Sequence, residues 1–181
     1  MDLAREACLA GYSRDLQELN SWLENATTSE LQRKSNGTGW TNEELLFHMV
    51  FGYTIVRSLL PLVRIMSRLP RSWSRGFAAG LNAVTGPFDV VNYWGSRAAA
   101  MVYDRHRMGR KLEKTITALA HRIERETTVS LARSMPFPTR WDPFFKADMT
   151  LADVYAYATL HFDFHAKQLS LRPPDSSPGP S

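Results

Sequence analysis

Three histidines have a spacing that could do chemistry. His161 and His165 stand four apart in YATLHFDFHAK, residues 157–167. Four residues make one helical turn, so both rings leave the same face, roughly 6 Å apart at Cβ. The stripe Asp153, Ala156, Leu160, Asp163 and Lys167 falls opposite and is expected to face water, with Asp163 and Lys167 spaced as an ion pair. His48, in GWTNEELLFHMVFGY, lies opposite a stripe of Glu43, Val50, Thr54, Arg57, Pro61, Arg64 and Arg68. It too is expected to point into the protein. Either these are core histidines with protein partners, or they are ligands of one divalent ion. Three separate buried imidazoles would each need a buried hydrogen-bond partner, whereas one metal satisfies all three. The metal reading is therefore preferred, and three histidines are a known catalytic zinc set.

Imidazole suits zinc, nickel, copper or iron, with zinc or nickel expected here. Three neutral ligands leave the ion its full charge and an open position. A bound water could be brought to a pKa of about 7 and act as a nucleophile. A bound thiol would lose its proton outright. Hydrolysis usually wants a general base beside the metal. The residue between the paired histidines, Asp163, faces away from them, and Glu44 is better used as a helix cap. Tyr157 and Gln168 share the histidine face, one turn to either side. Tyr157 could donate to a developing oxyanion and Gln168 could orient a ligand, although both also suit ordinary packing. With no buried carboxylate in view, thiol or Lewis-acid chemistry is preferred over hydrolysis. Trp40, Trp141, Phe144 and Phe145 precede the ligand-bearing helices and could cover the metal or simply close one end of the fold. His106 and His121 sit among charges and are expected at the surface. Cys8 and Ser134 lack a nucleophile context.

Four long helical patterns must position these groups, with almost no strand signal. The first runs from about Leu3 to Leu23 on a seam of Leu9, Tyr12, Leu16, Leu19 and Leu23. The second begins at Thr41, whose capping box is completed by Glu44, and reaches about Met66 with a kink at Pro61. Residues 69–91 read as a long connection with one short helix. The third helix spans about Tyr93 to Glu126, and the fourth runs from a second capping box, Thr150 and Asp153, to about Leu171. The expected fold is all-α: an up-down-down-up type four-helix bundle with long connections between helices two and three and between three and four. It is expected to form one domain over residues 1–172. The Pro/Ser-rich stretch 173–181 is expected to be disordered. No internal repeat is found.

The 181 residues are 44% hydrophobic, 11% aromatic and 22% charged, enough for a real core. Cys8 is the only cysteine, which excludes an internal disulfide and a cysteine-rich zinc site. The first residues hold no apolar run of signal length, and a cytoplasmic location is expected. Residues 45–66 are apolar but contain Arg57, Arg64 and Pro61, so they read as a core helix and not a membrane span. The net charge is +4, with no acidic residue between Glu44 and Asp89. Arg57, Arg64, Arg68, Arg71 and Arg75 lie there, either as a solvated face or as a patch for nucleic acid, a membrane surface or an acidic small molecule. Trp73 and Phe77 among them keep the membrane option open. Apolar outer positions such as Phe47 and Val50 suggest a homodimer.

The motif W-T-x-x-E-L-L-x-H at Trp40 to His48, followed by H-x-x-x-H-x-x-Q-L at His161 to Leu169, resembles the DinB/YfiT-like superfamily. The resemblance covers about residues 2–171. It implies a four-helix bundle holding a divalent metal on His48, His161 and His165. It also implies transferase or isomerase chemistry with a small thiol such as bacillithiol or mycothiol. The reading that follows is a metal-dependent enzyme, a small-thiol transferase before a hydrolase, with a small-molecule substrate. The alternative is a non-catalytic protein whose arginine face holds an anionic partner.

Overall fold

Threonine writes three of the helix starts into the chain. Thr27, Thr41 and Thr150 each accept the N3 amide on the side chain and receive the N3 carboxylate, Glu30, Glu44 or Asp153, at their own N–H. Each box satisfies two amides that the helix itself cannot. The computed structural model describes residues 3–83 and 105–171, without the side chain of residue 106. Its elements are α1 Leu3–Asn25, α2 Thr28–Gln32, α3 Asn42–Met66, α4 Arg71–Ala83, α5 Arg105–Glu124, α6 Thr128–Leu131, β1 Ser134–Pro136, β2 Asp148–Thr150 and α7 Leu151–Ala166. The chain is mostly helical.

Among the four long helices, α1 packs on α5 and α7, and α3 packs on the same two. The core between them includes Tyr12, Leu19, Leu45, Leu46, Met49, Tyr53, Leu112, Leu119 and Phe162, all essentially without exposure. Helix α3 buries Leu45, Leu46, Met49, Tyr53, Val56, Leu60 and Val63 and leaves Ser58, Pro61 and Ile65 exposed. It is long and apolar enough to cross a membrane, yet 56% of that apolar window is buried inside the molecule. Strands β1 and β2 pair antiparallel, with Met135 opposite Met149, and β2 ends on Thr150, the N-cap of α7. The small sheet thereby fixes where α7 begins. The loop between the strands is tied to the end of α4: the Trp141 indole N–H donates to Leu81 O at 2.8 Å and the Arg140 amide to Asn82 Oδ1 at 3.1 Å.

Helix α3 reaches Met66 as expected, with Pro61 inside it. Proline removes the N–H that would bond the carbonyl four residues back, and Arg122 of α5 supplies a donor to that carbonyl, Arg57 O, at 2.9 Å. Several expectations need correction. Phe47 and Val50 are buried, at 5% and 1% exposure, so they are not an outer dimer face. Asp163 pairs with Arg14 of α1 at 2.5 Å and not with Lys167. A neighbouring helix brought a guanidinium closer than the next turn could bring an ammonium. Helix α7 stops at Ala166. The polar loop after α1 contains α2, and the segment before α7 contains the two strands. In the connection after α3, the expected short helix is the 13-residue α4. Residues 84–91 of that connection, residues 93–104 of the expected third helix and the stretch 173–181 lie outside the described residues.

Candidate metal centre

His48 lies two turns into α3, on the side turned toward α7. His161 and His165 lie one turn apart near the end of α7. The last residues of the described chain pull the two helices together at this level. The Asn36 amide donates to Gln168 O at 2.7 Å, and the Ser170 amide donates to Asn42 Oδ1 at 3.0 Å. Asn42, in the first turn of α3, returns a bond from Nδ2 to Ser170 Oγ at 2.9 Å. These ties dock the segment after α7 against the start of α3, and so set His165 beside His48.

The three rings converge. Centroid separations are 5.0 Å for His48 and His161, 4.7 Å for His48 and His165, and 4.5 Å for His161 and His165. One nitrogen from each lies within 4.8 Å of the others, and the three histidines could hold a metal ion. His48 and His161 are each 5% exposed and His165 is half-buried. Burial lowers the His48 pKa to about 3, helped by His165. Burial, then the neighbouring His48 and His165, holds His161 well below its ordinary value. Burial lowers His165 as well, against the opposing pull of Gln168 and Asp142. All three are therefore neutral imidazoles at pH 7, the form that binds metal.

Two side chains set ring orientation. Gln168 Oε1 lies 2.7 Å from His165 Nδ1. A carbonyl oxygen only accepts, so the proton belongs on Nδ1 and Nε2 keeps its lone pair. Trp40 covers His48 at a centroid distance of 4.5 Å. Gly52 of α3 faces His161 so closely that a Cβ there would sit 2.5 Å from Nδ1. His161 Nδ1 itself is buried without a hydrogen-bond partner. Three neutral imidazoles with converging nitrogens fit a divalent ion as their common partner.

Tyr157 stands beside His161, ring centroids 5.6 Å apart, as its spacing on the helix required. Its hydroxyl is already used: it donates to Asp142 Oδ2 at 2.6 Å, while Asp142 Oδ1 accepts from the Phe144 amide at 2.9 Å. Burial, then the charge of Asp142, pushes the Tyr157 pKa above its ordinary value. The sequence reading missed Asp142. Its only local sign is the Asp-Pro pair in RWDPFF, which marks a turn but gives no direction. Gly52 was equally silent, because a glycine in a helix shows its purpose only when the opposing ring is in place.

The histidines, Asp142 and Tyr157 all line one cavity of about 570 Å³. Trp40, Trp141, Phe144 and Phe145 line it too, so these aromatic residues wall the site. Glu44 serves the cap of α3. His121 is exposed beside Glu124, and the His106 side chain is not described. Cys8 is buried and is in no disulfide, and Ser134 opens β1. The arginine segment is partly neutralised from within: Arg64 pairs with Glu126 and Arg71 with Asp148.

No curated protein and no solved structure matches the chain. The family model of the DinB superfamily matches residues 12–169, which spans the helices carrying all three histidines, and the chain belongs to that superfamily.

Proposed function

We propose that the protein is a divalent-metal-dependent enzyme that holds zinc or nickel on His48, His161 and His165. The convergence of three neutral imidazoles at one end of a large cavity carries this reading. When bound, the ion would supply Lewis acidity and an open position for water or a small thiol. The surrounding residues have separate parts. Gln168 fixes the proton of His165 on Nδ1. Asp142 holds the Tyr157 hydroxyl and can take a proton near the reacting atom. Trp40 and the aromatic residues of the loop exclude water. The up-down-down-up four-helix bundle is our reading of the topology, supported by the packing of α1 and α3 each against α5 and α7. A cytoplasmic location is likewise ours, supported by the single buried thiol.

Transfer to a small thiol and hydrolysis both fit this arrangement. Asp142 favours hydrolysis, since it is the carboxylate beside the histidines that hydrolysis would need as a base. The non-catalytic reading, with an anionic partner on the arginine face, is weakened by the internal pairing of Arg64 and Arg71.

Elemental analysis of untagged protein tests the metal. Near-stoichiometric zinc or nickel that disappears in His161→Ala supports the reading, and wild type that takes up neither ion after incubation overturns it. Asp142→Asn separates the chemistries: hydrolysis should fall by about 10²–10⁴-fold with metal retained, whereas thiol transfer should persist.

A further inference from the structure

The cavity extends well beyond the space that a metal and a small nucleophile require. Along α3 it is lined from His48 through Gly52, Ile55 and Leu59 to Val63. At a rise of about 1.5 Å per residue, that is about 22 Å. Phe77 and Leu81 of α4 and Phe137 after β1 line it too. A volume of about 570 Å³ lined along four turns of helix is an elongated channel, open to solvent at Ser58.

Its polarity is confined to one end. The histidines, Asp142 and Tyr157 cluster around the first turns. Further along α3, the lining hydroxyls of Thr54 and Ser58 are turned back on their own helix. Thr54 Oγ1 donates to Val50 O at 3.2 Å and Ser58 Oγ to Thr54 O at 2.9 Å. Among the described residues no lysine or arginine lines the channel. A short hydrophilic thiol would leave most of this apolar wall without a partner. A hydrocarbon chain would cover it, at a gain proportional to the area removed from water.

We propose that the channel takes a long-chain acyl compound, its polar head against the three histidines and its hydrocarbon chain along α3. The placement of the head rests on the metal reading above, whereas the placement of the chain does not. The lining alone selects for chain length. The head group selects for a donor that can reach a metal.

Trp40 and Trp141 line the channel, so quenching of their fluorescence reports binding. Zinc-loaded full-length protein would be titrated with n-alkanols from butanol to dodecanol, then with alkyl hydroxamic acids of the same lengths, all below micellar concentration. Affinity in both series should rise about fourfold per buried methylene. The hydroxamates should bind tighter than alkanols of equal length, and a chelator should remove that difference alone. Leu59→Trp should leave short chains unaffected and end the gain at a shorter length. Ser58→Phe serves the same purpose if the first variant does not fold. Affinity independent of length in both series, or an unchanged length limit in the blocked variant, overturns the proposal. Length dependence without a hydroxamate advantage would overturn the metal-anchored head and leave the chain site standing.

Discussion

His161 is buried on all sides, keeps its ring neutral and has a nitrogen that no protein group meets. With His48 and His165 it gives the metal-free protein a definite pH response. Their folded pKa values lie below the ordinary 6.5, His48 at about 3. Below pH 6.5 the unfolded chain takes up protons that the folded chain refuses. The stability these rings contribute is therefore complete above pH 6.5 and is lost as pH falls below it, for His48 down to about 3, at up to about 1.4 kcal/mol per histidine per pH unit. Asp15 acts in the opposite sense. Burial raises it to about 6, so from about 4 to 6 its contribution falls as pH rises. Urea midpoints of chelator-treated wild type and His161→Phe at pH 7.5 and 5.5 isolate the imidazole part. Wild type should lose more than the variant on acidification, and equal losses would contradict the buried neutral triad. Gln168→Ala should weaken metal binding by about 10–100-fold while the fold persists, read by competition with a chromophoric chelator. Unchanged affinity would mean that the Gln168 bond does not set the ring. His48 and the pair His161 and His165 were legible in the chain because spacing on a helix gives direction. Gln168 lies past the end of α7, and its bond to His165 is made from the turn that follows the helix.

Between α3 and α7 the decisive contact is the one made by Gly52. A Cβ there would overlap His161 at Nδ1, and the ring is too enclosed to retreat. Gly52→Ala is expected to cost about 1–3 kcal/mol by overpacking and to lower metal affinity, seen in urea unfolding and metal titration. Wild-type values in both would show that the close approach is dispensable. Helix starts were readable before any packing was known: the boxes at Thr41 and Thr150 lie where the chain placed them. The partner of the carbonyl that Pro61 strands on α3 was not, because Arg122 comes to it from α5. A local rule marked the place where the helix loses a donor, and only the packed fold brought a distant residue to replace it.

Over the whole molecule, two ion pairs span distant parts of the sequence and differ in their surroundings. Arg64 meets Glu126, whose side chain is 7% exposed and also accepts from Ser130 Oγ at 2.6 Å and Tyr155 Oη at 3.2 Å. Arg71 meets Asp148 at 2.7 Å, with side chains 59% and 45% exposed. Removing one partner of a buried carboxylate leaves a charge that water cannot reach, whereas an exposed pair is screened. Arg64→Met is therefore expected to destabilise by about 1–3 kcal/mol, and Arg71→Met by under about 1 kcal/mol, in paired denaturant titrations. Equal effects would argue that Glu126 is hydrated in solution.

By itself the sequence determined the helical class, the two long capped helices that bear the ligands, and the inward direction of three histidines. Each follows from periodicity or capping, which are properties of residues near one another in the chain. Only the tertiary structure decided that the three rings share one point, that Asp142 holds Tyr157 beside them, and that Gly52 makes room for His161. It also turned Asp163 toward Arg14 and buried Phe47 and Val50. These depend on which surfaces meet across the fold, and neither spacing nor composition encodes that distance.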